Sequence, residues 1–188
     1  EKYNRCVKLL YGSSTEIFKE YFNMYDVKNI FAYQESGIRE TYIRDIEIHK
    51  ISSQNNTKFI EFEKDSVERG LKNRSGWDSR WYMKMKEDIT RNVFTLNSFK
   101  DTNNNFNPPK PFIDDISIYP KQYVKPGYEN AIKTLSSFLE SRSHNYNKHI
   151  SKPLESRKSC SRISPYLSWG NISSKQVYHF FRNHKKIK

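Results

Sequence analysis

Long apolar runs, cysteine, glycine and C-terminal acid are what this 188-residue chain has least of. No stretch approaches the ~20 consecutive apolar residues of a membrane helix, so no membrane partner is expected. No basic segment followed by an apolar one marks a secretory leader. The two cysteines, Cys6 and Cys160, lie far apart and form no metal-ligand or redox spacing, so two reduced thiols, and no metal, are expected. Six glycines are present and none falls in a G-x-G-x-x-G run, which removes the dinucleotide fingerprint. Acid is nearly absent from the end of the chain. Residues 141–188 hold eleven Lys or Arg against one acid, Glu155, and so carry +10 of the net +12. Four of the five histidines, His144, His149, His179 and His184, sit there too. Such a one-sided basic region attracts polyanions, chiefly nucleic acid.

What is present reads as strands alternating with helices over the first ninety residues. Residues 7–11 form a short apolar strand candidate, turned by Gly12 into a helix with Ser13 and Ser14 as cap chemistry. Asn29–Tyr33 and Lys58–Phe62 are further strand candidates. Between them a helix starts near Gly37, with Ile38, Tyr42, Ile46 and His49 expected on one stripe. Single helices between strands imply a parallel sheet. Residues 101–111, rich in Asn and Pro, continue neither helix nor strand and read as an interdomain connector. After Gly127 a helix is expected to bury Ala131, Leu135, Phe138 and Leu139 on one face. A break near Gly170 and a new helix capped by Ser173 follow. The chain begins at Glu1 within ten residues of an apolar run, and a fragment of a longer protein is expected.

The serines around Arg162, in Ser159-Cys160-Ser161-Arg162-Ile163-Ser164, precede an aromatic helix start. Small hydroxyls, free N–H groups and a guanidinium suit a phosphate. Ser clusters before helices are common, however, and local chemistry alone favours an ordinary capped helix start.

A wider pattern changes that weighting. The run Cys160-Ser-Arg-Ile-Ser-Pro-Tyr-Leu-Ser-Trp-Gly-Asn-Ile-Ser173 resembles the photolyase/cryptochrome pattern Thr-Ser-Arg-Leu-Ser-Pro-Tyr-Leu-x-x-Gly-x-Ile-Ser. Upstream, Pro126-Gly-Tyr-Glu-Asn-Ala131-Ile-Lys-Thr-Leu135-Ser-Ser-Phe138-Leu139 resembles the helix preceding that loop. Tyr146 and Pro153 keep the family's spacing between the two. Gln34-Glu-Ser-Gly-Ile38 with Arg44-Asp45, and Leu71-Lys-Asn-Arg-Ser-Gly76-Trp77 with Trp81, resemble the family's α/β domain and pre-linker more loosely.

The resemblance implies a partial Rossmann-like α/β domain (1–90), a connector (91–126) and the first helices of an all-α FAD-binding domain (127–188). It implies FAD as cofactor, contacted by Tyr146 and, around the diphosphate, by Cys160, Ser161, Arg162, Ile163 and Ser164. Cys160 stands where the family has threonine, which substitutes a weak S–H donor for a hydroxyl. The family's DNA-contacting arginine falls on Ile150, leaving Lys148, His149 and Lys152 as candidate DNA contacts. An antenna chromophore of folate or deazaflavin type belongs to the α/β domain, and Thr41 falls near a glutamate used by some folate-binding members. The implied function is light-driven repair of pyrimidine dimers in DNA, as a deoxyribodipyrimidine photo-lyase, monomeric and cytoplasmic or nuclear. The alternatives are a cryptochrome-type receptor without repair activity, and a truncated, non-catalytic basic fragment that binds nucleic acid. Trp77, Trp81 and Trp169 are read as packing residues, and this chain alone is expected to bind little FAD.

Overall fold

The computed structural model describes residues 8–90, 105–118, 120 and 123–184. Cys6, Val7 and the lysines at 185, 186 and 188 lie outside the described residues, as does the whole 91–104 stretch of the connector. The first elements are α1 (Ser14–Met24), β1 (Asn29–Tyr33), α2 (Arg39–Gln54), β2 (Lys58–Phe62) and α3 (Trp77–Lys86). Then come α4 (Lys110–Ser117), α5 (Tyr128–Glu140), a 3₁₀ turn (Arg142–Asn145), α6 (Tyr146–His149), α7 (Pro153–Ser159), α8 (Ser164–Ser168) and α9 (Ser174–Asn183). They form two compact units: residues 1–72 with 91–119, and residues 73–90 with 120–188.

In the first unit β1 and β2 pair in parallel, from Asn29 opposite Lys58 to Tyr33 opposite Phe62. Each is a five-residue run rich in Phe, Ile and Tyr, which suits a pleated surface. A parallel pair needs a crossover, and α2 supplies it. The sheet's near end is fastened by Thr57, whose Oγ1 donates to Val27 O at 2.7 Å and whose N–H donates to Ser52 O at 2.9 Å. Ser52 is fully buried and returns its own hydroxyl to Ile48 O at 2.7 Å.

The inward face of α2 differs from the one expected. Ile48 and Ser52 are buried, with Thr41 and Asp45 half-buried on the same side. Ile38, Tyr42 and Ile46 are exposed, and His49 meets only the edge of Phe59 at 5.8 Å. Both sets mix steps of four and three, so each is a helical stripe, though Ile38 precedes the helix as its N-cap; the side that is buried is set by what α2 packs against, α1 and β2.

The strand expected over residues 7–11 is absent among the described residues. Residues 8–11 are irregular; Tyr11 donates its N–H to Phe106 O at 2.8 Å and lays its ring against Phe112 at 5.0 Å. Gly12 turns the chain at φ +151°, where a Cβ would meet Phe106 at 3.1 Å.

The second unit is helical. Ala131 and Leu135 of α5 are fully buried against Ile163, Tyr166 and Ile172, with Phe180 and Phe181 of α9 packed around them. The expected face of α5 is therefore the core face, with Phe138 and Leu139 half-buried at its edge. Burying side chains of this size stabilises by roughly 1.5–3 kcal/mol each. Helix α9 starts at Ser173 as expected. Gln176 N–H donates to Ser173 Oγ at 3.1 Å, and Ser173 N–H donates to Gln176 Oε1 at 2.8 Å. Helix α3 lies on α9 through Trp81 and Tyr178, edge to face at 5.8 Å, and through Lys175 to Glu87 at 2.9 Å. Among the described residues, no helix is long and apolar enough to cross a membrane.

Candidate functional site

The loop over residues 159–164 is held from behind. Helix α7 ends at Ser159, which is buried; Cys160 N–H closes the last turn on Ser156 O at 2.9 Å. Ser159 Oγ meets His149 Nδ1 at 2.7 Å. Arg142, just past the end of α5, reaches under the loop. Its guanidinium donates to Thr134 O at 2.7 Å, to Ser161 O at 3.3 Å, to Ser137 Oγ at 3.1 Å and to Cys160 O. Burial, and then the neighbouring Arg162 guanidinium, pull Arg142 below its ordinary pKa. Even so an arginine remains protonated in any physiological range.

This anchoring orients the loop. A trans peptide places C=O and N–H on opposite sides, and the described chain has no cis peptide. With the Cys160 and Ser161 carbonyls drawn to Arg142, the N–H groups of Ser161 and Arg162 point away from it. Arg162 is left-handed at φ +60°, and Ile163 follows at φ −87°, ψ −16°. Adjacent residues of opposite hand turn successive N–H groups into one concavity, an anion-binding nest. No protein acceptor meets the N–H groups of residues 161–164 among the described residues. The arrangement is a set of oriented donors that can hold an anion.

The remaining candidates fall as follows. Tyr146 begins α6, half-buried, with its ring edge-on to Phe138 at 6.0 Å; no hydrogen bond joins it to the loop among the described residues. Lys148 and Lys152 are exposed, and Ile150 is half-exposed at 50%. His149 instead turns its ring onto Ser159. The Cys160 thiol is free and half-buried. In the other unit, Thr41 donates to Ile38 O at 2.8 Å at the start of α2. Nearby, the Gly37 N–H on the Glu35 carboxylate holds that group below the usual range. Among the described residues no group of three His, Cys, Asp or Glu could hold a metal ion. The sequence offered no sign of Arg142: its targets lie 8, 18 and 19 residues away, and only its place after a strong helix distinguishes it.

No family model matches the chain, and no curated protein matches it by sequence. Among solved structures it is similar to a bacterial class III photolyase from Agrobacterium tumefaciens, with a TM-score of 0.59 at 16% identity. The chain has a photolyase-like fold. The match covers 92% of this chain and 38% of that one, so the chain spans well under half the length of its neighbour.

Proposed function

We propose that this chain is part of a flavoprotein of the photolyase/cryptochrome kind, in which residues 159–164 bind the diphosphate of FAD. In this reading β1, α2 and β2 are a piece of a Rossmann-like sheet, and α5 to α9 are the opening helices of the flavin domain. The observation that carries it is the loop's orientation: carbonyls turned onto Arg142, and unpaired N–H groups turned outward over a nest. That donor set fits a diphosphate. Backbone N–H groups at Ser161 and Arg162 supply direct donors, the Ser161 and Ser164 hydroxyls add others, and the Cys160 thiol adds a weak one. Tyr146, on α6, stands as the aromatic wall. When bound and reduced, FAD supplies the light-driven electron that splits a pyrimidine dimer. The chain's own part is to hold and orient the phosphates and to present basic residues, Lys148 and Lys152 first, to the DNA backbone. His149 serves that face indirectly, by fixing Ser159.

The test is spectroscopic. The protein expressed from its complete reading frame is expected to carry flavin absorption in the blue and to restore dimer-containing DNA under illumination only. A colourless product that takes up no FAD on reconstitution overturns the proposal. Flavin without repair identifies the cryptochrome-type alternative.

A further inference from the structure

Behind the 159–164 loop, on the side of its carbonyls, lies a second concave site. It is a concavity of about 450 Å³ on the helical unit, wide open to solvent. That is inside the ~300–1,000 Å³ range of small-ligand pockets. Lys125, Lys133, Arg142 and Arg162 are among its lining residues, and no carboxylate lines it. Among the described residues none of these four cations makes an ion pair. Its polar floor is Thr134, whose Oγ1 lies 3.5 Å from the Tyr166 hydroxyl, while Tyr166 in turn donates to Lys125 O at 2.9 Å.

We propose that this pocket binds a compact, phosphate-bearing small molecule, separately from the outward N–H face of the loop. Three observations carry the inference. Arg142 is already engaged by three carbonyls and Ser137, while Lys125, Lys133 and Arg162 line the same concavity with no carboxylate among them, so an anion there lowers the repulsion between these cations. Burial first, and then the like charge of Arg162, push Arg142 down from its ordinary pKa. The shape also decides between anions. Duplex phosphates are spaced along a convex rod and are met by cations spread over a long face. Four cationic residues round a single open hollow suit a short polyphosphate.

The proposal does not rest on the flavin reading, because Lys125 and Lys133 belong to the approach and outer face of α5 and not to the loop. The experiment is calorimetric titration of the chain with inorganic pyrophosphate, with sulfate and a short single-stranded oligonucleotide as the other arms. Saturable binding of pyrophosphate to one site, tighter than sulfate, is expected. Lys133→Glu and Lys125→Glu should each weaken it about tenfold or more, the worth of one charge-assisted contact. Lys50→Glu and Lys86→Glu make the same charge change at exposed positions outside the pocket and should alter it by only about twofold, through screened long-range attraction. Both pocket lysines are exposed, so folding is expected to survive, and far-ultraviolet circular dichroism checks it. Absence of saturable binding overturns the proposal. So does an equal loss in Lys86→Glu, which means diffuse attraction. An oligonucleotide that binds more tightly, and loses that binding in Lys133→Glu, overturns it in favour of a nucleic-acid surface. Flavin retention by the complete protein should be unchanged in Lys133→Glu, so the two readings fail separately.

Discussion

Replacing Arg142 by alanine tests the architecture of the loop most directly. The guanidinium makes four hydrogen bonds, three of them to backbone carbonyls, at Thr134, Cys160 and Ser161. A hydrogen bond to a charged group contributes about 1.5–3 kcal/mol, and a buried acceptor left without a donor costs about 1–3. The terms do not add. Thr134 sits in mid-helix, where its carbonyl keeps a helical donor, and the loop carbonyls are near enough to solvent for partial rehydration. Loss of the fork is therefore expected to destabilise the helical unit by about 2–4 kcal/mol, somewhat below the figure for a fully buried charged pair. Arg142→Lys should recover less than half, because one ammonium cannot reach carbonyls on three segments at once. The assay is urea unfolding followed by tryptophan emission, since Trp77, Trp81 and Trp169 all lie in that unit. An Arg142→Ala midpoint equivalent to a change within about 0.5 kcal/mol, the range of an ordinary surface substitution, would refute the reasoning.

Three further outcomes are expected. Leu135→Ala, at a fully buried position, should lower stability by about 2–5 kcal/mol in the same assay, while Leu154→Ala, 80% exposed, should leave it nearly unchanged. Ser173→Ala removes one half of the capping box and should cost about 1 kcal/mol, with most of the loss recovered by Ser173→Asp. Glu87 is held below the ordinary carboxylate pKa by its hydrogen bond to Lys175. A depressed carboxylate stabilises above its unfolded pKa of about 4.3 and loses that contribution as pH falls through its lower folded value. Melting curves of Glu87→Gln should therefore converge with those of the native chain below the carboxylate range and separate above it.

What could be read in the sequence was local. The two strands are bounded as expected because each is a short apolar run ended by polar or turn residues. Helix α5 shows its core face because Ala131, Leu135 and Phe138 alternate steps of four and three. Ser173 is followed by Gln176, so the capping box is complete in four residues. What could not be read was set by partners distant in the chain. The buried side of α2 is decided by the sheet it lies on, not by which of its many isoleucines look periodic. Helix α3 owes its place to Tyr178, Lys175 and His179, some ninety residues on. The serines of the loop allowed a phosphate site or an ordinary helix cap, but did not show which way their peptide groups face; that depends on one arginine upstream.

Position 162 answers to two masters. Its left-handed backbone costs an ordinary residue about 1–2 kcal/mol and glycine almost nothing. Its side chain is one of four cations over the pocket behind the loop. Selection for thermal stability alone would thus pull this site toward glycine or asparagine, and selection for anion capture would pull it toward arginine or lysine. A chain that keeps arginine there has accepted a strained turn, and a screen that scores folding apart from ligand retention should see substitutions at 162 divide along that line.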